Sequence, residues 1–152
     1  MKVYRLVREC FMNDFSGKGA SLFGGRWNSI GTEIIYTASN RSLAMAELVV
    51  HLTLATLPDD FYMLEILLPT KSSKKKIDPI DLPENWNAFP SNSLIAKIGD
   101  DFINQNQYLL LEVPSAVTKG DFNILINPFH KDFKKVKILS AEKFPFDKRI
   151  FK

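Results

Sequence analysis

The chain has 152 residues and a net charge of +3, and 45% of its residues are hydrophobic. This composition fits one globular domain over residues 1–152 and excludes a disordered chain. A single cysteine, Cys10, excludes an internal disulfide framework, and the first residues form no apolar leader. The longest apolar stretch, 43–57, is too short to span a bilayer. We therefore expect a soluble, cytoplasmic protein without membrane contact.

The first half of the chain predicts three strands, a glycine-rich loop and a helix. Residues 3–7 predict the opening strand, and residues 33–37 a second, short one. Between them, residues 13–32 form a polar loop that contains five of the seven glycines. Ser39 is placed to cap a helix that runs to about residue 56, where Pro58 ends it. Residues 61–68 predict the third strand.

The second half predicts mostly β-structure. Residues 70–90 contain a lysine run and three prolines, which indicates irregular structure. Ser91 or Ser93 is placed to cap a second helix. Its apolar face is formed by Leu94, Ile95, Ile98, Phe102 and Ile103. Residues 108–113, 122–126 and 136–139 predict three further strands. Helices that do not alternate with strands indicate an α+β fold with a mixed sheet.

Glu47 interrupts the otherwise apolar helix-like stretch 43–52. A surface glutamate normally has polar neighbours, so either the carboxylate of Glu47 is desolvated or a nearby cation compensates its charge. A glutamate on the helix surface remains the alternative. His51 lies one turn further along, but no third ligand is near in the sequence. We therefore expect no metal site.

The segment 24–28 reads Gly-Gly-Arg-Trp-Asn, which places Arg26 in a loop whose glycines allow close approach to a ligand. The planar guanidinium suits phosphate oxygens. An arginine stacked on Trp27 in a structural loop is the alternative. Tyr36 stands at a strand end, where a core tyrosine is the default. A phosphate-binding arginine and a carboxylate together suit a substrate with a pyrophosphate and a cleavable glycosidic bond.

Two polar residues follow predicted strands in the second half. Ser115 comes directly after a strand, but no G-x-S-x-G elbow surrounds it, so we do not interpret it as an acyl-transfer nucleophile. Asn127 precedes Pro128, a pattern typical of the start of a helix.

These motifs together resemble the RES domain family, the toxins of bacterial toxin–antitoxin pairs. The family's arginine falls on Arg26, its glutamate on Glu47 and its serine on Ser115, with Tyr36 at the accompanying tyrosine position. The resemblance extends over nearly the whole chain. It includes Tyr4-Arg5, Gly24-Gly25-Arg26-Trp27-Asn28, Gly31, Tyr36-Thr37-Ala38, the helix bearing Glu47, Val113-Pro114-Ser115, Asn127-Pro128 and Phe146-Asp147-Lys148-Arg149.

The resemblance implies an ADP-ribosyltransferase-like fold and an activity that consumes NAD⁺ as a substrate, with no separate cofactor. It also implies an Xre-type helix-turn-helix antitoxin that covers the active-site entrance in a hetero-oligomer. The reaction stays open between hydrolysis to ADP-ribose, transfer of ADP-ribose to a protein, and phosphorolysis.

Each candidate residue has an expected role in this interpretation. Glu47 stabilises the positive charge that develops on the ribose, and Arg26 holds the pyrophosphate or nearby ribose oxygens. Tyr36 positions the nicotinamide ring, and Ser115 donates a hydrogen bond to the substrate or to Glu47. Further candidates for binding NAD⁺ are Arg5, Trp27 and Asn127.

A different class of function remains possible on composition. Lysines cluster at 71–76 and 131–137, and together with Trp27 and Trp86 they could form a surface for single-stranded nucleic acid. That hypothesis leaves the carboxylate of Glu47 in an apolar helix unexplained. We therefore expect no direct nucleic-acid binding.

Overall fold

A mixed seven-stranded sheet with three helices is formed by residues 1–151, which are the residues that the computed structural model describes. The strands are β1 (Lys2–Arg8), β2 (Ile35–Ala38), β3 (Phe61–Leu67), β4 (Lys74–Lys76), β5 (Leu110–Pro114), β6 (Phe122–Ile126) and β7 (Lys137–Lys143). The helices are α1 (Lys18–Phe23), α2 (Arg41–Val49) and α3 (Ser93–Gln105). The strand order is β4-β5-β6-β2-β1-β3-β7, and β4–β5 is the parallel pair.

Side-chain alternation along the strands divides the core between the two faces of the sheet. On β2, Ile35 packs into one cluster with Val3 and Ile124. Tyr36 and Ala38 point to the opposite face, where Tyr36 packs beside the cluster under α3 and Ala38 packs under α2. Both long helices therefore cover the same face of the sheet, and α2 lies over the β1–β2 junction.

The pairing between β1 and β2 is very short. Tyr4 and Ala38 are their one register pair, whereas β2 pairs with β6 over all four of its residues. The backbone of β2 beyond this pair has no ladder partner on the β1 side. The sheet therefore opens beside α2, and polar groups that a ladder would occupy are free for other contacts.

All six predicted strands are present, with small shifts of their ends. The structure adds β4, which corrects the expectation that residues 70–90 are irregular. Lys74 and Lys76 of β4 form ion pairs with Glu112 of β5, at 3.2 and 3.4 Å. Lysine has a low intrinsic preference for strands, so contacts with the neighbouring strand β5 stabilise β4.

The helices depart further from the sequence prediction. Asn40 and Asn92 accept hydrogen bonds from backbone amides and cap α2 and α3, in place of the predicted serines. The first of these helices ends at Val49 instead of residue 56, and Leu94 of the second is 61% exposed instead of facing the core. The glycine-rich loop contains the six-residue helix α1, which begins after Gly17 at a positive φ of 79°.

Candidate active site

A cavity of about 310 Å³ opens where β1 and β2 part beneath α2. Its polar wall is formed by Arg5, Tyr36, Thr37, Glu47 and Asn123, which come from β1, β2, α2 and β6. Tyr4 and apolar residues of β1, β2 and α2 complete the lining, together with Ala20 of α1 and Gly24. A mostly apolar cleft with a few convergent polar groups is the usual form of a small-molecule site.

Glu47 presents its carboxylate to this cavity in a fixed orientation. Its Oε1 accepts hydrogen bonds from the Ser115 hydroxyl at 2.6 Å and from the Asn123 side-chain amide at 2.7 Å. Its Oε2 accepts no hydrogen bond from the described part of the chain. Glu47 forms no ion pair there either. The arrangement holds one carboxylate oxygen rigidly and leaves the other for a ligand.

Ser115 is hydrogen-bonded to this carboxylate and does not line the cavity. Its hydroxyl donates to Glu47, and its oxygen accepts from the backbone N–H groups of Val117 and Thr118 at 3.1 and 3.0 Å. The residue is 4% exposed. Of the two roles left open by the sequence, contact with substrate or with Glu47, the structure shows the second. Ser115 is a positioning residue.

Asn123 is a site residue that the sequence analysis missed. It lies on β6, opposite Ala38 of β2 and Val113 of β5, and donates from Nδ2 to Glu47. It is the single polar residue in the strand sequence Phe-Asn-Ile-Leu-Ile. The signal was therefore present, because a polar side chain inside an apolar strand is as unusual as Glu47 inside an apolar helix.

Arg5 is the arginine that lines the cavity. It donates from one guanidinium nitrogen to the backbone carbonyl of Tyr36 at 2.9 Å, across the gap between β1 and β2. Among the described residues this is its one hydrogen bond, so most of its five N–H donors remain free. Burial lowers the pKa of Arg5, and the negative charge of Asp14 opposes this shift. An arginine stays charged in either case, so a half-buried cationic residue lines the cavity.

Arg26 does not line the cavity. Its guanidinium donates to the backbone carbonyls of Trp86 and Ala88 at 2.9 and 3.0 Å, which ties the glycine-rich loop to the segment before α3. Burial lowers the pKa of Arg26, whereas the charge of Glu47 acts in the opposite direction. Arg26 is thus within electrostatic reach of the carboxylate but is already bound to the protein.

Trp27 is a core residue. It is 3% exposed, packs beside Trp86 with ring centroids 6.1 Å apart, and lies against α3. A Cβ on Gly99 of α3 would stand 1.6 Å from the Trp27 carbonyl oxygen, so the helix and the loop touch through their backbones. The structure places the Trp27 side chain outside the cavity lining.

Tyr36 contributes its ring to the cavity wall while its hydroxyl organises the glycine-rich loop. The hydroxyl donates to Asn28 Oδ1 at 2.5 Å and accepts from the Trp27 backbone N–H at 3.1 Å. A Cβ on Gly25 would stand 2.7 Å from this hydroxyl, which explains a glycine there. Burial raises the pKa of the Tyr36 phenol above its usual range. The phenol therefore stays protonated and keeps the loop in place.

Asn127 lies in the core away from the cavity and does not cap a helix. Its Oδ1 accepts from the Phe129 backbone N–H within a turn, and its Nδ2 donates to Asn106 Oδ1 at 2.7 Å. The next helical residues are a short 3₁₀ turn at Phe133–Lys135. The segment after Asn127 therefore forms a tight turn at Pro128 instead of the helix that the sequence pattern predicted.

Three lysines of the two clusters are paired with carboxylates. Lys74 and Lys76 pair with Glu112, and Lys135 pairs with Asp132 at 2.9 Å. None of the helices in residues 1–151 is long and apolar enough to cross a membrane.

Comparisons with known proteins agree with the sequence motifs. The family model described as "RES domain" matches residues 2–147. "Prs ADP-ribosylating toxin" from Sphingobium sp. (strain YBL2) is 38% identical over 142 residues, which cover 92% of this chain and 88% of that protein. "Toxin Res" from Photorhabdus laumondii is 36% identical and covers 100% and 98% of the two chains. "Toxin Res" from Yersinia enterocolitica is 34% identical and covers 99% of each.

The fold also matches a solved structure. A chain of the crystal structure of the M. tuberculosis MbcT–MbcA toxin–antitoxin complex superimposes with a TM-score of 0.77, at 17% identity, over 99% of this chain and 86% of the other. At this identity the likeness concerns the fold. The expected α+β architecture, an ADP-ribosyltransferase-like mixed sheet with flanking helices, is confirmed.

Proposed function

The chain belongs to the RES domain family, and we propose that it is the toxin of a toxin–antitoxin pair that cleaves the nicotinamide–ribose bond of NAD⁺. One observation carries this proposal. The carboxylate of Glu47 is held at one oxygen by Ser115 and Asn123, and Glu47 and the cationic residue Arg5 line the same cavity. A fixed anion and a fixed cation in one cleft match a cationic ribose and a pyrophosphate.

The chemistry assigned to Glu47 is electrostatic. Nicotinamide leaves as a neutral molecule, so its departure requires no proton, but positive charge develops on the ribose ring oxygen and on C1′. A carboxylate held beside that charge stabilises the transition state because its orientation is already fixed before the reaction. Water then adds to C1′ and gives up one proton, which yields ADP-ribose, nicotinamide and H⁺.

We assign the pyrophosphate to Arg5 in preference to Arg26. Arg5 lines the cavity and has free N–H donors, whereas Arg26 does not line it and donates to two backbone carbonyls. The role of Arg26 in this proposal is to anchor the loop that ends in the cavity wall at Gly24. The ring of Tyr36 lies in the same wall and would face the nicotinamide.

Transfer of ADP-ribose to a protein is the second candidate, and a specific finding favours it. The relative from Sphingobium bears the name "Prs ADP-ribosylating toxin" and is 38% identical to this chain. The same site serves both reactions, because the bond that breaks is the same and the acceptor alone differs. Phosphorolysis, with phosphate as the acceptor, is the third version of this chemistry.

The proposed partner is an Xre-type helix-turn-helix antitoxin that covers the cavity mouth in the cytoplasm. Support comes from apolar side chains beside the cavity residues Ala20 and Gly24: Leu22, Phe23 and Ile30 are 67%, 84% and 74% exposed. Apolar side chains in such positions are typical of a protein interface. Co-expression with an Xre-type partner is expected to give one hetero-oligomeric species in gel filtration, with NAD⁺ loss suppressed. Separate elution with unchanged NAD⁺ loss would argue against this partner.

The experiment that tests the activity identifies both products. Purified protein is incubated with NAD⁺ in buffer, in phosphate and in a desalted cell lysate, and the products are separated by chromatography and identified by mass spectrometry. Free nicotinamide with ADP-ribose indicates hydrolysis, and nicotinamide with ADP-ribosylated protein indicates transfer. Nicotinamide with a phosphorylated ADP-ribose indicates phosphorolysis. If no nicotinamide appears under any condition, the proposed function is wrong.

A further inference from the structure

We infer that Asn123, in addition to holding Glu47, binds a hydroxyl group of the ribose whose glycosidic bond is cleaved. This inference rests on the proposed function and adds a specificity-determining residue to it. The hydroxyl would donate its proton to Asn123 Oδ1. The site would therefore distinguish a ribonucleotide from its deoxy analogue through an amide as well as through the carboxylate.

The starting observation is an unpaired, buried acceptor on a residue that lines the cavity. Asn123 is 9% exposed and lines the cavity, and its Nδ2 donates to Glu47 Oε1 at 2.7 Å. Its Oδ1 is buried and accepts no hydrogen bond from the described residues. It is the one buried side-chain nitrogen or oxygen in residues 1–151 without a partner. Buried polar atoms are nearly always paired, so an unpaired one in a cleft points to a ligand donor.

The orientation of the amide is determined by its surroundings. If the amide were flipped, its oxygen would face Glu47 Oε1, and two acceptors would oppose each other. The register partners of Asn123 are Ala38 and Val113, whose side chains have no donor. Neither neighbouring strand therefore supplies a donor side chain to Oδ1 from these register positions, and Asn123 is one of the residues that line the cavity.

The position beside Glu47 identifies the substrate group. The two ends of one amide are adjacent, so Oδ1 lies next to the carboxylate that acts on C1′. The groups nearest to C1′ that carry a proton to donate are the hydroxyls on the same ribose. The pyrophosphate has acceptors only, and the nicotinamide carboxamide belongs to the group that departs. A ribose hydroxyl is thus the donor that fits an acceptor in this place.

The test is a double-mutant cycle between protein and substrate. Wild type and Asn123→Ala are compared on NAD⁺ and on its analogues that lack the 2′ or the 3′ hydroxyl of the nicotinamide ribose. Intrinsic reactivity differs between these sugars, but it cancels in the ratio between the two proteins. We expect loss of one hydroxyl to lower kcat/KM about tenfold more in wild type than in Asn123→Ala. Asn123→Asp keeps an acceptor oxygen and is expected to retain this discrimination at a lower overall rate.

The outcomes separate this inference from the proposed function. Equal effects of the hydroxyls in wild type and Asn123→Ala would overturn the inference alone, because Asn123 would then act only by holding Glu47. Coupling to an acetylpyridine analogue, which lacks the carboxamide donor, instead of to either deoxy analogue would also overturn it. If wild type releases no nicotinamide, both fail together.

A variant without measurable turnover does not end the test. Dissociation constants of NAD⁺ and the deoxy analogues are then measured by calorimetry with Glu47→Gln and with Glu47→Gln/Asn123→Ala, in which the substrates stay intact. A hydroxyl that raises affinity only when Asn123 is present supports the inference, and equal affinities with and without Asn123 contradict it.

Discussion

Replacement of Glu47 by glutamine isolates the charge of the carboxylate from its hydrogen bonds. A glutamine carbonyl in the place of Oε1 keeps both donors that the structure shows, the Ser115 hydroxyl at 2.6 Å and the Asn123 amide at 2.7 Å. The change is then confined to the other position, where an NH₂ group replaces the oxygen that accepts no hydrogen bond from the described residues. The variant thus removes the negative charge while the surrounding contacts stay in place.

The expected loss follows from that geometry. Without the anion, the positive charge on the ribose meets the partial positive charge of an amide N–H. Removal of a preorganised electrostatic contact of this kind typically costs about 3–4 kcal/mol of barrier, or ~10²–10³ in kcat. Because no buried group loses its partner, we expect the thermal midpoint of Glu47→Gln to stay within about 2–3 °C of wild type.

The assay is nicotinamide release from NAD⁺ under saturating substrate, together with thermal denaturation of the same preparations. Glu84→Gln is the matched control, since Glu84 is exposed and does not line the cavity. It is expected to behave as wild type in both measurements. If Glu47→Gln retains wild-type turnover, the electrostatic role is refuted. If turnover is lost together with the fold, the assignment of Oε1 as the held oxygen is wrong.

Three further predictions concern the surrounding residues. Arg5→Lys is expected to raise KM for NAD⁺ about tenfold, whereas Arg26→Lys is expected to lower the thermal midpoint and to change KM much less. A larger increase of KM in Arg26→Lys than in Arg5→Lys would instead assign pyrophosphate binding to Arg26. Ser115→Ala is expected to lower kcat about tenfold with little change in KM, measured by steady-state kinetics, because Glu47 loses a donor; a pure KM effect would place Ser115 against substrate. Burial alone would raise the pKa of Asp100, but hydrogen bonds from Ser29 outweigh it and lower the pKa. Stability from Asp100 is therefore present above the unfolded pKa and is lost as pH falls through the lower folded value. Denaturation between pH 7 and 2 is expected to show a smaller acid-dependent loss in Asp100→Asn, and an equal loss would contradict this.

Most strands could be predicted because their information is local. Alternating or continuous apolar residues bounded by turn residues mark β1, β3, β5 and β6, and tertiary packing reinforces the same pattern. The short strand β4 could not be predicted, since Lys74 and Lys76 become part of the sheet through Glu112, more than 35 residues away in the sequence. The helix caps were misassigned because serine and asparagine compete for the same position.

The carboxylate of Glu47 was identified from sequence because burial and charge conflict locally in the apolar helix. The resemblance to the RES domain family supplied its chemical meaning. The sequence could not show which residues meet it. Asn123 is 76 positions away and Ser115 is 68 positions away, and only strand pairing and helix packing bring them to one oxygen.

The choice between the two arginines was also decided by tertiary structure. Arg26 has the more conspicuous sequence context, in a glycine-rich loop, but its guanidinium satisfies the carbonyls of Trp86 and Ala88. Arg5 stands in an ordinary strand, and it reaches the cavity because β1 and β2 share a single register pair. Residue type and spacing therefore indicated most of the strands and the unusual position of the Glu47 carboxylate. Which polar atoms are already paired, and which remain free for a ligand, depends on long-range contacts that no local pattern encodes.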